Sequence, residues 1–294
     1  MANNSWIDLF SNELIGMSKW VWSLITCQEV WYKNYFYGLI AISLFVWLLE
    51  ILFPWRKNQS IIRKDFWMDG AYMFINFFGF SIVIYGVYGI IQSVAGDYGI
   101  TLTSIAVFDV TKLPVWASLL VFFVVNDFVQ WCTHVLLHRF EFLWRFHKVH
   151  HSVKEMGFAA HLRYHWMENI FYKPLKTFAI MLIGGFEPEM AFAVHFLSIF
   201  IGHLNHANVR ITWGPLKYIF NNSVMHLYHH AKVLPEGQMP GVNFGISLSV
   251  WDYIFGTNYI PQDKDGTYEL GFEGEEKFPT GLFQQLLSGF VTKK

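Results

Sequence analysis

The sequence predicts an all-α integral membrane protein: a helical transmembrane bundle with a histidine-rich helical cap on its cytoplasmic side. Three observations lead there: long apolar blocks, a shortage of charge and an excess of histidine. Of the 294 residues, 54% are hydrophobic and 15% are charged, where soluble domains carry about a quarter charged residues. Histidine occurs 13 times.

The elements follow in chain order. SWIDLFSNELIGMSKWVWSLI mixes aromatic and apolar residues with scattered charge. It suits an interfacial helix within an N-terminal segment, 1–35. No basic run and cleavage site mark it as a signal peptide. A membrane-embedded domain is expected over 36–257. Its first block, FYGLIAISLFVWLLEILF at 36–53, is interrupted only by Glu50, and its second, at 71–94, carries no formal charge. A third, VWASLLVFFVV at 115–125, continues towards Trp131 past Asp127. About 20 apolar residues cross a bilayer as a helix, so these three are spans. FAIMLIGGF at 178–186 and MAFAVHFLSIFIG at 190–202 are shorter and read as a hairpin, spanning or re-entrant. The tail, 258–294, ends in GLFQQLLSGFVTKK, a surface helix or a packed end.

Charge orients the bundle. The first loop holds Arg56, Lys57, Arg63 and Lys64, the second only Lys112, and the stretch after the third span Arg139, Arg145, Lys148, Lys154, Arg163, Lys173 and Lys176. Lys and Arg favour the cytoplasmic side of short loops, so the histidine groups are expected to face the cytoplasm. A net charge of −1 leaves no footprint for nucleic acid. Two cysteines, Cys27 and Cys132, supply neither a disulfide framework nor a cysteine-type metal site.

The histidines form sets. His134 and His138 stand in HVLLH; His147, His150 and His151 in HKVHH; His226, His229 and His230 in HLYHH. Positions three and four apart share a helix face, so each set presents its imidazoles together. His161 and His165 repeat the i,i+4 spacing and His203 and His206 stand at i,i+3, whereas His195 sits alone in an apolar run. Many neutral imidazoles packed together need many hydrogen-bond partners, and a metal accepts several at once. One zinc needs four ligands at most, so eight histidines in three motifs favour two metals. Imidazole suits zinc, iron, copper or nickel. Iron with dioxygen fits attack on a hydrocarbon, and zinc fits hydrolysis.

These motifs resemble those of the fatty acid hydroxylase/sterol desaturase superfamily of membrane di-iron enzymes, whose signature is HxxxH, HxxHH and a distant HxxHH. LWRFHKVHHS, RYHWME, HANV and WDYIFGT are similar to further family stretches, over about residues 53–257. The departures are Val135, Gly157 and Ser223, with His161 and His203 additional to the pattern. The resemblance implies His134, His138, His147, His150, His151, His226, His229 and His230 as ligands, with His165 and His206 joining them. Asp127, Glu168, Asn208 and Asp252 are candidates to orient those ligands, or else to cap helices and pair with arginines. The implied cofactor is two iron ions, with zinc possible as purified. The implied reaction is oxygen-dependent hydroxylation of a fatty acyl, sterol or related lipid. Alternatives are desaturation at the same centre, ether-lipid cleavage, a zinc-dependent membrane hydrolase, and a metal transporter or structural metal protein. HExxH, the helical zinc-protease signature, is absent from the sequence. So are GxGxxG, CxxCH and a ferredoxin cysteine set, so a separate reductase or electron carrier is implied. LPEGQMPGVNFG at 234–245 reads as a shaped loop that closes over the centre or simply connects two elements. Trp144, Phe146, Tyr164, Trp166, Tyr228 and Trp251 are candidates to line an apolar slot.

Overall fold

The computed structural model describes residues 6–101, 104, 106–184, 188–234, 241–261 and 265–290. Positions 235–240 of the expected loop, Phe186 and the last four residues lie outside them. The described residues are helical, with no strand beyond two isolated bridges.

Helix α1 (Trp6–Ile25) leads into α2 (Tyr35–Leu52). Asn34 joins them, its Oδ1 accepting from Tyr37 N at 3.1 Å while its Nδ2 donates to Leu24 O at 2.8 Å. One side chain thus caps the start of α2 and satisfies a carbonyl left over at the end of α1. Helices α3 (Phe66–Phe74) and α4 (Phe80–Asp97) run on through a π-turn at Ile75–Gly79, making one apolar stretch from Phe66 to Asp97. A π-turn re-aims side chains, and here Asn76 Nδ2 donates to Tyr164 O at 2.8 Å. The interfacial helix expected at the N-terminus packs mainly along α4. Phe10 occupies the space that a Cβ at Gly86 would need.

Helix α5 (Val115–Arg139) is longer than the apolar block that announced it. It passes Asp127 because that carboxylate accepts from Ser247 N, Leu248 N and Trp251 Nε1 at 3.0–3.2 Å and so faces protein rather than lipid. Three helical stretches, Tyr35–Leu52, Phe66–Asp97 and Val115–Arg139, are long and apolar enough to cross a membrane. Phe140, in extended conformation, separates α5 from α6 (Glu141–His151). A 3₁₀ turn at Phe158–Leu162 precedes α7 (Glu168–Ile183) and α8 (Pro188–His206); α9 (Ser223–His229), α10 (Val250–Phe255) and α11 (Leu282–Leu286) complete the chain. Helix α7 packs on α5 and α6, while α8 packs on α2, α5, α9 and the 3₁₀ turn. The two helices of the expected hairpin are therefore held by other elements.

The basic first loop and the histidine helices share one face of the bundle. Arg56 Nη2 donates to Met156 O at 2.7 Å, and Lys64 N donates to Glu155 Oε2 at 3.1 Å. Beneath them lies Arg163, with no exposed surface, paired to Asp69 and to Asp65. Asp69 also pairs with Arg63 and is itself fully buried. Removing one partner of a buried ion pair strands the other charge, at a cost of about 3–5 kcal/mol. Asp69→Ala is therefore expected to lower unfolding stability by about that amount, read from denaturant titration in detergent.

Candidate metal centre

Four helices bring nine histidines together. Helix α5 presents His134 and His138, α6 presents His147, His150 and His151, and α9 with the residue following it presents His226, His229 and His230. Helix α8 delivers His206 at its last turn. They sort into two groups, His134, His138, His147, His151 and His229 in one, and His150, His206, His226 and His230 in the other. Within each group one ring nitrogen per residue lies within 4.8 Å of all the others, and every member is buried.

Helical geometry explains the division. In HxxHH the first and last histidines stand at i,i+4 and share a face, while the middle one is turned away by a single residue's rotation. Helix α6 thus sends His147 and His151 to the first group and His150 to the second. Helix α9 does the reverse, with His229 in the first group and His226 and His230 in the second. The groups touch: the His151 and His230 rings are stacked with centroids 4.4 Å apart.

Backbone carbonyls set the tautomers. His134 Nδ1 donates to Phe244 O (2.7 Å), His150 Nδ1 to Arg163 O (2.9 Å), His206 Nδ1 to Gly202 O (2.7 Å) and His229 Nδ1 to Val242 O (2.7 Å). A carbonyl can only accept, so each Nδ1 carries the proton and each Nε2 keeps its lone pair. The Nε2 atoms of His134, His147, His229 and His230 are buried without a hydrogen-bond partner. Others meet nitrogen to nitrogen: His151–His138 at 3.1 Å, His206–His226 at 3.0 Å and His206–His150 at 3.3 Å. Neighbouring ligands about 2.0–2.1 Å from one ion stand roughly 3 Å apart, so converging lone pairs at this spacing fit metal coordination. The donors are all imidazole, the set that suits iron, zinc, copper or nickel rather than magnesium or calcium.

Electrostatics keep the rings ready to ligate. Burial, reinforced by neighbouring imidazoles, holds His147, His151, His226, His229 and His230 well below the ordinary histidine range. Burial pushes His150 down to about 4. At neutral pH these rings are uncharged, and no proton competes for the lone pairs.

The remaining candidates have other partners. Glu168 Oε2 lies 3.2 Å from His147 Nδ1, the carboxylate–histidine arrangement that orients a ligand. His165 lies outside both groups; its Nδ1 accepts from Met167 N at 3.1 Å and its ring sits 5.0 Å from that of Phe146. Asp127 and Asp252 bond to no imidazole. Asp252 accepts from Phe244 N (2.9 Å), Gly245 N (2.8 Å) and Trp131 Nε1 (2.9 Å), so both acids fix the 244–251 segment. Asp252 thereby steadies the carbonyl that accepts from His134. Asn208 exchanges hydrogen bonds with the backbone of Arg56, at 2.8 and 3.1 Å, tying the end of α8 to the basic loop instead of orienting a ligand. His161 and His203 bond to each other through Nδ1 at 2.8 Å, with His203 Nε2 3.1 Å from Ser43 Oγ. His161 lies so close over Gly202 that a side chain there would collide with the ring.

Sequence reasoning missed the carbonyls of Val242, Phe244, Arg163 and Gly202, which no side-chain pattern announces. It also missed Asn243, whose left-handed conformation (φ 54°) is one that asparagine tolerates better than most residues. Asn243 Nδ2 donates to Met225 O and Tyr259 O, and its Oδ1 accepts from Tyr259 N, pinning the two flanking carbonyls over the centre.

This is the site of a membrane metalloprotein with a two-part, all-histidine donor set. Residues 119–257, which enclose all nine histidines, match the family model for fatty acid hydroxylase. Over those residues, a little under half of the chain, the protein is similar to the fatty acid hydroxylase family. Similar proteins include ornithine lipid hydroxylase OlsE of Rhizobium tropici, 28% identical over 90% of this chain and 77% of its own length. Human alkylglycerol monooxygenase is 29% identical over 47% of this chain and 30% of its own length. The rice very-long-chain aldehyde decarbonylase GL1-10 is 26% identical over 55% and 51%. No solved structure matches the chain.

Two outcomes test this arrangement. Glu168→Gln is expected to lower metal affinity about 10–100-fold, measured by competition with a chelator. The metal-free protein is expected to lose stability as pH falls from about 6.5 to about 4, the ordinary and folded values for His150. Over that window the unfolded chain takes up protons that the folded histidines refuse. A melting temperature that stays flat or rises on acidification would contradict the buried, neutral assignment.

Proposed function

We propose that the protein is an oxygen-dependent di-iron hydroxylase acting on a membrane lipid. The observation that carries this reading is the pair of adjacent histidine groups, each with Nε2 lone pairs converging in a buried space. Lipid hydroxylases and monooxygenases among the relatives support it. Nine imidazoles exceed the four ligands that one zinc takes, which favours the oxygenase over a single-zinc hydrolase.

Bound iron would supply activation of dioxygen for insertion into a C–H bond, with two electrons arriving from a separate reductase or carrier. The first group would hold one ion through His134, His138, His147, His151 and His229, and the second another through His150, His206, His226 and His230. The protein's own work is positional. The carbonyls of Val242, Phe244, Arg163 and Gly202 keep the Nδ1 protons in place, and Glu168 anchors His147. Trp144, packed 5.0 Å from His138 and 5.2 Å from His151, helps exclude water. An apolar surround lets a hydrocarbon approach in the fixed pose that C–H attack requires. The shared face of the basic loop and the histidine helices supports a cytoplasmic centre by the charge rule, within reach of a soluble electron donor.

Purification with iron supplied and air excluded should give close to two irons per chain and a dinuclear Mössbauer spectrum. Turnover should then require dioxygen and reductant. His150→Ala is expected to abolish turnover and reduce metal occupancy while leaving membrane insertion intact. Zinc alone, with iron unable to bind under those conditions, would defeat the reading.

A further inference from the structure

Helix α7 carries two lysines, Lys173 and Lys176, just ahead of the apolar stretch that begins at Phe178. Three apart, they share a face, and both are half-buried. Lysines near a membrane usually extend their ammonium groups outward to water. These turn inward instead: Lys173 Nζ donates to Ser81 Oγ on α4 at 3.2 Å, and Lys176 Nζ donates to Gln130 Oε1 on α5 at 3.0 Å. Among the described residues neither makes an ion pair with a carboxylate. Asp127 is within electrostatic range of Lys176, but its oxygens accept from the 247–251 segment. Each ammonium has three donors, and the described hydrogen bonds occupy one on each.

Both lysines are near enough to His195 on α8 to act on it electrostatically, and His195 is bonded to Tyr35 at 2.8 Å. Lys176 also acts on His161, whose ring lies 5.0 Å from that of His206. Along α5, Gln130 precedes His134 by one turn, about 6 Å of rise. The Lys176 ammonium therefore sits beside α5 about one turn from His134 of the first histidine group.

We propose that Lys173 and Lys176, with Gln130, form a receptor between α4, α5 and α7 for the anionic group, carboxylate or phosphate, of the lipid that the metal centre oxidises. The assignment of that lipid as substrate rests on the hydroxylase reading; the anion site itself does not. Two cationic groups in apolar surroundings call for a counter-charge with several acceptor oxygens, and an anionic amphiphile brings one together with a chain that suits the aromatic interior. The held group fixes which carbons lie near the metals, favouring those close to the anionic end.

Native mass spectrometry of the full chain in neutral detergent tests this without turnover. Palmitate, hexadecyl phosphate and hexadecanol are compared on the wild type and on Lys173→Met/Lys176→Met. The wild type is expected to bind one or both anionic amphiphiles about 10–100-fold more tightly than hexadecanol, the range of a charge-assisted hydrogen bond. The double variant should lose that preference while binding hexadecanol unchanged, and Lys176→Arg should retain most of it. Preference for palmitate alone identifies a carboxylate lipid, and preference for hexadecyl phosphate alone a phosphate lipid. Equal binding of all three by the wild type, or a preference that survives in the double variant, overturns the proposal. Lack of turnover with iron, dioxygen and reductant would instead count against the hydroxylase reading.

Discussion

Burying nine neutral imidazoles is the constraint around which this fold is arranged. Each ring has two nitrogens, one a donor and one an acceptor, and each unmet polar atom in the interior costs free energy. The chain meets four of the donors with backbone carbonyls and a fifth with Glu168, and turns several of the acceptors towards one another. The carbonyls must in turn be held still. That task falls to Asp252, Asn243 and Asp127, which hold the 242–251 segment against α5, and to the buried ion pairs around Arg163. Supporting residues far from the histidines in sequence thus bear on the donor geometry through carbonyl position.

The long apolar helices and the clustering of the histidine motifs were legible in the sequence because both depend on local periodicity. The block from Phe36 to Phe53 corresponds to α2 within one residue at each end. The end of α5 was less legible. Asp127 looks like a break in an apolar run, and only a distant segment reveals that its charge is met. The pairing of ligands was hidden for a related reason. Spacing shows that His147 and His151 share a face, but not which face of α9 meets them. Nor can spacing find an orienting carbonyl, since every residue possesses one. Glu168, Asp127, Asn208 and Asp252 looked alike as polar residues near the motifs, yet only Glu168 reaches an imidazole.

The bundle treats its polar groups in two ways. At the histidine face, polarity is enclosed and cross-linked, and an apolar neighbour such as Phe244 contributes its carbonyl as well as its ring. On α7, cationic groups rest on neutral amide and hydroxyl oxygens. The first arrangement concentrates lone pairs and the second concentrates donors. A ligand lying along the interior would meet both, in that order, from one end to the other.

The division of each HxxHH motif between the two groups has a mechanical consequence. A rigid helix that feeds both sites cannot adjust one alone: turning α6 about its axis moves His147 and His151 in one sense relative to the first site and His150 relative to the second. Helix α9 imposes the opposite two-to-one linkage. The centre therefore behaves as a geared pair, in which the two histidine groups share their errors. One residue inserted into either helix, a rotation of about 100°, would disengage both.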